Sequence, residues 1–290
     1  MPALELTTVV GCPLMCSYCP QNKLKASYGD AEKYMTVANF TTILSKVPNH
    51  VQIDFSGMSE PWANPNATEM LELTLKRGYH AVVYTTLYGL SAQEARRVVA
   101  LLLEHREQVK EVVLHLPDAN GNMRGYKPSA EYDEVLGIFA AAGKGLRSFR
   151  AMTMDGRSRV HPSVKLPATS SSWSGLDRAG SLDTEAVANQ PLDRAVNHSG
   201  PVSCSFTQFY DHNVVLPNGD VVLCCMDYSL KHKVGNLLTG DYYSLFESPG
   251  MGRLRAENTK LGPANTICKK CNRATTYKLP ENNKQFWKVA

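Results

Sequence analysis

Long apolar runs are missing from this chain. Nowhere do about 18 consecutive apolar residues occur, so no segment is expected to cross a bilayer. A basic stretch followed by an apolar one is absent from the start, so export is not indicated and the cytoplasm is the expected location. No block of one charge stands out either: 31 basic and 27 acidic residues are interspersed and leave a formal net charge of +4, which offers no platform for a polyanion. Nucleic acid is therefore not an expected partner. Internal repeats and low-complexity tracts are also lacking. With 43% hydrophobic and 20% charged residues in 290, the chain has the balance of a globular protein with one substantial core and a smaller unit.

What is present begins with eight cysteines. In a short secreted chain they would suggest disulfides, but here they fall into tight groups in a longer chain without an export signal, so duty as metal ligands fits better. Around them the pattern alternates. Segments 4–10, 50–55, 79–86, 110–116 and 147–154 read as short buried strands, and 35–46, 67–77, 91–106 and 131–142 have helical apolar spacing, with Gly78 suited to stop its helix. A β-α repeat of this kind predicts a mainly parallel sheet with ligands at the C-terminal strand ends. From 155 to about 200 the pattern breaks into a polar, Pro-containing bridge expected to hold a sixth strand. A hairpin turning at Asn218-Gly219 is expected next.

Cys12, Cys16 and Cys19 stand in GCPLMCSYCPQ, directly after the first apolar segment. Three soft thiolates at this spacing can surround an iron–sulfur or zinc centre, and three is one short of a full tetrahedral set. The run CPLMCSYC resembles the radical S-adenosylmethionine (SAM) enzymes, whose three cysteines hold a [4Fe–4S] cluster with a fourth iron open to the amino and carboxylate groups of SAM. The resemblance implies a partial (β/α)6 barrel, an α/β fold, and a 5′-deoxyadenosyl radical that abstracts hydrogen from carbon. It makes Cys12, Cys16 and Cys19 cluster ligands and puts Tyr18 near the adenine. IDFSGMSEP resembles the family's glycine-rich segment, giving Gly57, Ser59 and Glu60 as cofactor contacts, although Ser59 stands where many relatives have a second glycine. Thr85 and Thr86 at the third strand's end, His115 beyond the fourth and Met154 at the end of the fifth are further cofactor candidates. Asp118, Asp155, Trp173, Asp177 and Arg178 are weighed as substrate-facing, and Asp54, Asp118, Asp155 and Asp177 are carboxylates that could suit a polyamine-like sugar.

Cys204, Cys224, Cys225, Cys268 and Cys271 form C-x14-G-x4-C followed by C-x2-C, which resembles the twitch domain, a short relative of SPASM auxiliary-cluster domains. The resemblance implies a partition into a radical SAM barrel over 1–199 including the 155–199 bridge, an auxiliary module over 200–275 and a tail over 276–290. It implies two [4Fe–4S] clusters and SAM as cofactors, with Cys204, Cys224, Cys268 and Cys271 as the second ligand set; structural zinc is the alternative. Asp227 and Asn236 would orient the module. One thiol of the eight is left over. Adjacent strand residues face opposite ways, so Cys225 points away from the ligand set if Cys224 joins it. Three roles stay open for it: buried packing, return of hydrogen to a substrate radical as a catalytic residue, or exchange of ligand duty with Cys224. The expected reaction is dehydrogenation or epimerisation of a carbohydrate or aminocyclitol. The alternatives are maturation of a ribosomally made peptide, for which no separate recognition segment is evident, and a non-catalytic metal-bound scaffold. A flavodoxin- or ferredoxin-like electron donor is the implied partner, with no membrane.

Overall fold

The computed structural model describes residues 1–153, 159–168, 170–171, 178–182, 196–262 and 265–277. Strands β1 (Ala3–Leu6), β2 (Gln52–Phe55), β3 (Ala81–Thr85), β4 (Val109–His115), β5 (Phe149–Thr153) and β6 (Ser170–Ser171) pair in that order, each parallel to its neighbour. Between them run α1 (Gln21–Tyr28), α2 (Val37–Lys46), α3 (Ala67–Lys76), α4 (Ala92–Glu104) and α5 (Ala130–Ala142). Together they make the partial α/β barrel expected from the alternation. Helix starts follow local chemistry: Thr36, Ser91 and Ser129 each accept a backbone N–H of the first turn. The helices bury one stripe each, Phe40, Ile43 and Leu44 on α2 and Met70, Leu71 and Leu75 on α3, against Leu4, Ile53 and Val83 of the sheet.

The C-terminal part comprises β7 (Val202–Cys204), β8 (His212–Val215), β9 (Asp220–Val222), β10 (Lys233–Asn236), α6 (Ser244–Glu247), α7 (Pro249–Thr259) and β11 (Ala274–Thr276). The hairpin does turn at Asn218-Gly219, where Gly219 has φ +81°. Its first strand does something the pattern did not show: β8 lies parallel to β1, so β8, β9 and β10 extend the barrel sheet to nine strands among the described residues. Helix α1, which follows Pro20 directly, also went unread, because QNKLKASY buries only Gln21, Leu24 and Tyr28 and carries little apolar periodicity. Among the described residues no helix is long and apolar enough to cross a membrane.

Candidate active site

The C-terminal strand ends open into a cavity of about 540 Å³. Cys12, Cys16 and Cys19 line it from the loop after β1. That loop is clamped from two sides. Ser17 receives the 118–126 loop through its N–H to the Asn122 carbonyl (2.8 Å) and its hydroxyl to Asn122 Oδ1 (2.6 Å). Gln21 accepts from the Cys12 N–H (3.3 Å) and donates to the Met58 carbonyl (2.5 Å), tying the cysteine loop to the Gly57 segment.

Gly57 sits at φ +52°, and a Cβ there would stand 2.4 Å from the Leu6 carbonyl oxygen and 2.6 Å from the Thr7 nitrogen. The segment therefore lies flat on the end of β1 because the residue has no side chain. A Gly57→Ala protein is expected to melt roughly 5 °C or more lower, because overpacking and a left-handed backbone together cost a few kcal/mol. Anaerobic thermal melting checks it, and an unchanged melting point would show that the segment can lift away freely.

Glu60, 4% exposed, is held by four donors: Thr85 Oγ1 (2.7 Å), Thr86 N–H and Oγ1 (2.7 Å each) and the Trp62 N–H (3.3 Å). Burial pushes its carboxyl up, and the Thr86, Thr85 and Trp62 bonds pull it back. Thr85 and Thr86 thus line the cavity but give their hydroxyl hydrogens to Glu60, which orients the loop. Ser59 lines the cavity with its Oγ buried and unpartnered. Tyr18, buried with Leu14 and Met123, meets Cys16 through its hydroxyl. His115 faces the cavity beside Tyr84, with ring centroids 5.8 Å apart. Burial, aided by Arg178 and Arg150, pulls its pKa down to about 4, so it is neutral. Met154, Asp155, Trp173 and Asp177 lie outside the described residues. Asp118 is not at the cavity; its Oδ1 accepts from the Asn120 and Asn122 N–H groups and fixes the clamp loop.

Two residues the sequence did not single out, Glu5 and His212, join Asp54, which was weighed among the carboxylates for a polyamine-like sugar. Glu5 on β1 and Asp54 on β2 are register partners, 6% and 4% exposed, and both line the cavity. His212 Nε2 stands 3.1 Å from Glu5 Oε1 and 3.6 Å from Asp54 Oδ2. Burial and then Glu5 push Asp54 up to about 7, against the Gln52 hydrogen bond and His212. Burial opposes charge on His212, but the neighbouring carboxylates outweigh it and hold its pKa up. The signal was an acid flanked by buried leucines in LEL, which a strand puts on one face of a sheet.

At the second cysteine set, Cys204 ends β7, Cys224 follows β9, and Cys268 and Cys271 lie in the turn before β11. Cys268 and Cys271 are near enough to act electrostatically on Cys224, and Cys271 and Cys204 on Cys268. Cys225 faces the other way, into the main cavity, where its thiol meets Glu5. Asp227 and Asn236 are tied into the loops around it: Asp227 accepts from the Lys231 and His232 N–H groups (3.0 and 2.6 Å), and Asn236 from the Leu238 N–H (2.8 Å).

Among the described residues no three His, Cys, Asp or Glu side chains gather at the spacing of a single metal ion. The donor sets are nevertheless all-thiol. Burial pushes the Cys12 thiol up to about 11, so a metal centre's positive charge is what would keep these sulfurs ionised. An iron–sulfur cluster, wider than one ion, fits such a set.

The SPASM family, an iron–sulfur cluster-binding domain, matches residues 204–272. A search of curated proteins finds no match. Among solved structures, the chain is similar to BtrN in complex with AdoMet and 2-DOIA, at 16% identity over 94% of this chain and 93% of that one, with TM-score 0.57. It is similar to anSMEcpe with bound AdoMet and a Cp18Cys peptide, at 15% identity over 93% and 86%, with TM-score 0.53. The Streptococcus suis SuiB structure bound to S-adenosylmethionine matches at 15% identity over 93% and 70%, with TM-score 0.51. At these identities the likeness is one of fold. The match places a domain of the SPASM iron–sulfur cluster-binding family at residues 204–272, and the chain as a whole has the fold of these AdoMet-bound structures.

Proposed function

We propose that this protein takes a carbon-bound hydrogen from a substrate drawn into the barrel cavity, and that Cys225 returns one to the substrate radical, the thiyl radical left on its sulfur being restored to thiol by one electron from the donor protein and one proton. The observation that carries it is that the Cys225 thiol shares one cavity with Cys12, Cys16 and Cys19. When bound, a [4Fe–4S] cluster with SAM supplies one-electron cleavage to a 5′-deoxyadenosyl radical, the hydrogen-abstracting agent. Cys12, Cys16 and Cys19 would hold it, with the Gly57 to Glu60 segment beside the methionine moiety. Cys204, Cys224, Cys268 and Cys271 would hold a second cluster, and a flavodoxin- or ferredoxin-like protein would supply electrons.

For the substrate, a peptide is the reading better supported by similar structures, since anSMEcpe is seen with AdoMet and a peptide. A carbohydrate or aminocyclitol is the second reading, supported by BtrN with AdoMet and 2-DOIA. The cavity floor suits one feature available to both. Glu5 and Asp54 together face one histidine, so an ammonium group, from a lysine side chain or an amino sugar, would complete the charge balance. Oxidation instead of hydrogen return would use Asp54, whose pKa of about 7 suits a base at neutral pH.

Anaerobically reconstituted protein, reduced with SAM in deuterated water and offered lysine-containing peptides or amino sugars, is expected to release 5′-deoxyadenosine in a substrate-dependent way. Deuterium on a product carbon supports hydrogen return, a carbonyl product supports oxidation, and no 5′-deoxyadenosine with any substrate overturns the reading.

A further inference from the structure

The Tyr228 hydroxyl belongs to the loop that follows Cys224 and Cys225, yet it lies 3.5 Å from Cys19 Sγ, in the first set and 209 residues away. The ring is 2% exposed and packs among Val10, Leu24 and Met58 from the barrel and Val214, Leu216 and Val222 from the hairpin. The neighbouring Asp227 closes the loop, accepting from the Ser229 hydroxyl (3.0 Å) and from the Lys231 and His232 N–H groups. Arg178 stands with its guanidinium carbon 5.9 Å from the ring centroid and donates through Nε to the Tyr18 carbonyl (3.3 Å). A hydroxyl and a cation therefore flank the same stretch of the cysteine loop.

We propose that Tyr228 is a positioning residue for the N-terminal iron–sulfur site, donating its hydroxyl hydrogen to the Cys19 sulfur and raising the reduction potential of the cluster held there. The proposal rests on the reading that the triad binds a cluster. A sulfur bonded to iron is a thiolate and carries no hydrogen, so of the two atoms in this contact only the phenol can donate. Donation withdraws negative charge from the sulfur and favours the reduced cluster. The C-terminal module then acts on the radical-generating site through a direct contact, in addition to any cluster of its own.

The test is an EPR-monitored redox titration of the full-length, anaerobically reconstituted protein. It reads the signal that changes when SAM is added, which belongs to the site with an open iron, and uses the SAM-insensitive signal as the internal control. Tyr228→Phe keeps the ring and removes only the hydroxyl. The expected result is a lower potential for the SAM-responsive signal alone. At a fixed potential the ratio of reduced to oxidised cluster should fall roughly tenfold, equal to about 59 mV for a one-electron couple. A purely structural role would change the melting temperature and leave the potential in place; an unmoved potential at full iron content overturns the proposal. Should phenylalanine reduce iron loading, a fluorinated tyrosine at position 228 keeps the ring and strengthens the donor: an upward shift supports the proposal, and none overturns it. Absence of any SAM-responsive signal in the unsubstituted protein sinks the cofactor assignment and this proposal together, and it is seen before any variant is made.

Discussion

Replacing Cys12, Cys16 and Cys19 together with alanine is expected to bring 5′-deoxyadenosine formation to background while the C-terminal iron stays bound. The expectation follows from how separately the two sets are built. The triad sits in a loop held by Asn122, Gln21 and a small cluster of Leu14, Tyr18 and Met123. The other set rests on β7, the end of β9 and the turn before β11, around Val202, Ala179 and Ala274. No cysteine is common to both. Iron should fall from roughly eight atoms per chain to roughly four, if each set holds a four-iron cluster, and the melting profile should show that the barrel persists. Cleavage that continues at the original rate would remove the triad from the cofactor site. Loss of all iron would show instead that the second set is not filled independently of the first.

That the barrel was legible from sequence is a consequence of burial on both faces. Ala81–Thr85 and the Val112, Val113 and Leu114 run of β4 are continuous in β-branched, aromatic and apolar residues, and the intervening helices carry clear stripes. The cysteine loop was legible because its spacing is short and its chemistry is restricted to thiols. Less was readable where a residue's role depends on a partner distant in sequence. Glu60 was a cofactor-contact candidate in its own segment, and its bonds to Thr85 and Thr86, some 25 residues on, could not be read there. Asp118 was a possible substrate contact, but its oxygen is used by the next turn of its own loop. Glu5, Asp54 and His212 meet only because β8 docks beside β1, and no local pattern announces a parallel pairing across some 200 residues. The same pairing brings Tyr228 to Cys19 and Cys225 to Glu5.

Cys225 gives the second large effect. Strand alternation predicted that it would point away from the set containing Cys224, and its side chain does line the barrel cavity, next to Glu5. A thiol there is available to a radical formed in that cavity. A Cys225→Ala protein is therefore expected to keep SAM cleavage and to move deuterium from labelled substrate into 5′-deoxyadenosine, since neither the triad nor the Gly57 segment is touched. What it should lose is the product that needs a hydrogen returned, falling to background, with solvent deuterium no longer appearing on the product carbon. Mass spectrometry of both species in one reaction separates the two steps. If the product still forms with solvent deuterium on carbon, another donor serves and Cys225 is packing. If the product is a carbonyl compound made equally well by both proteins, hydrogen is never returned, and Asp54, held near neutrality by burial and by Glu5, becomes the group to replace. The two outcomes point to different walls of one cavity: the thiol delivered by the hairpin after β9, or the carboxylates of β1 and β2.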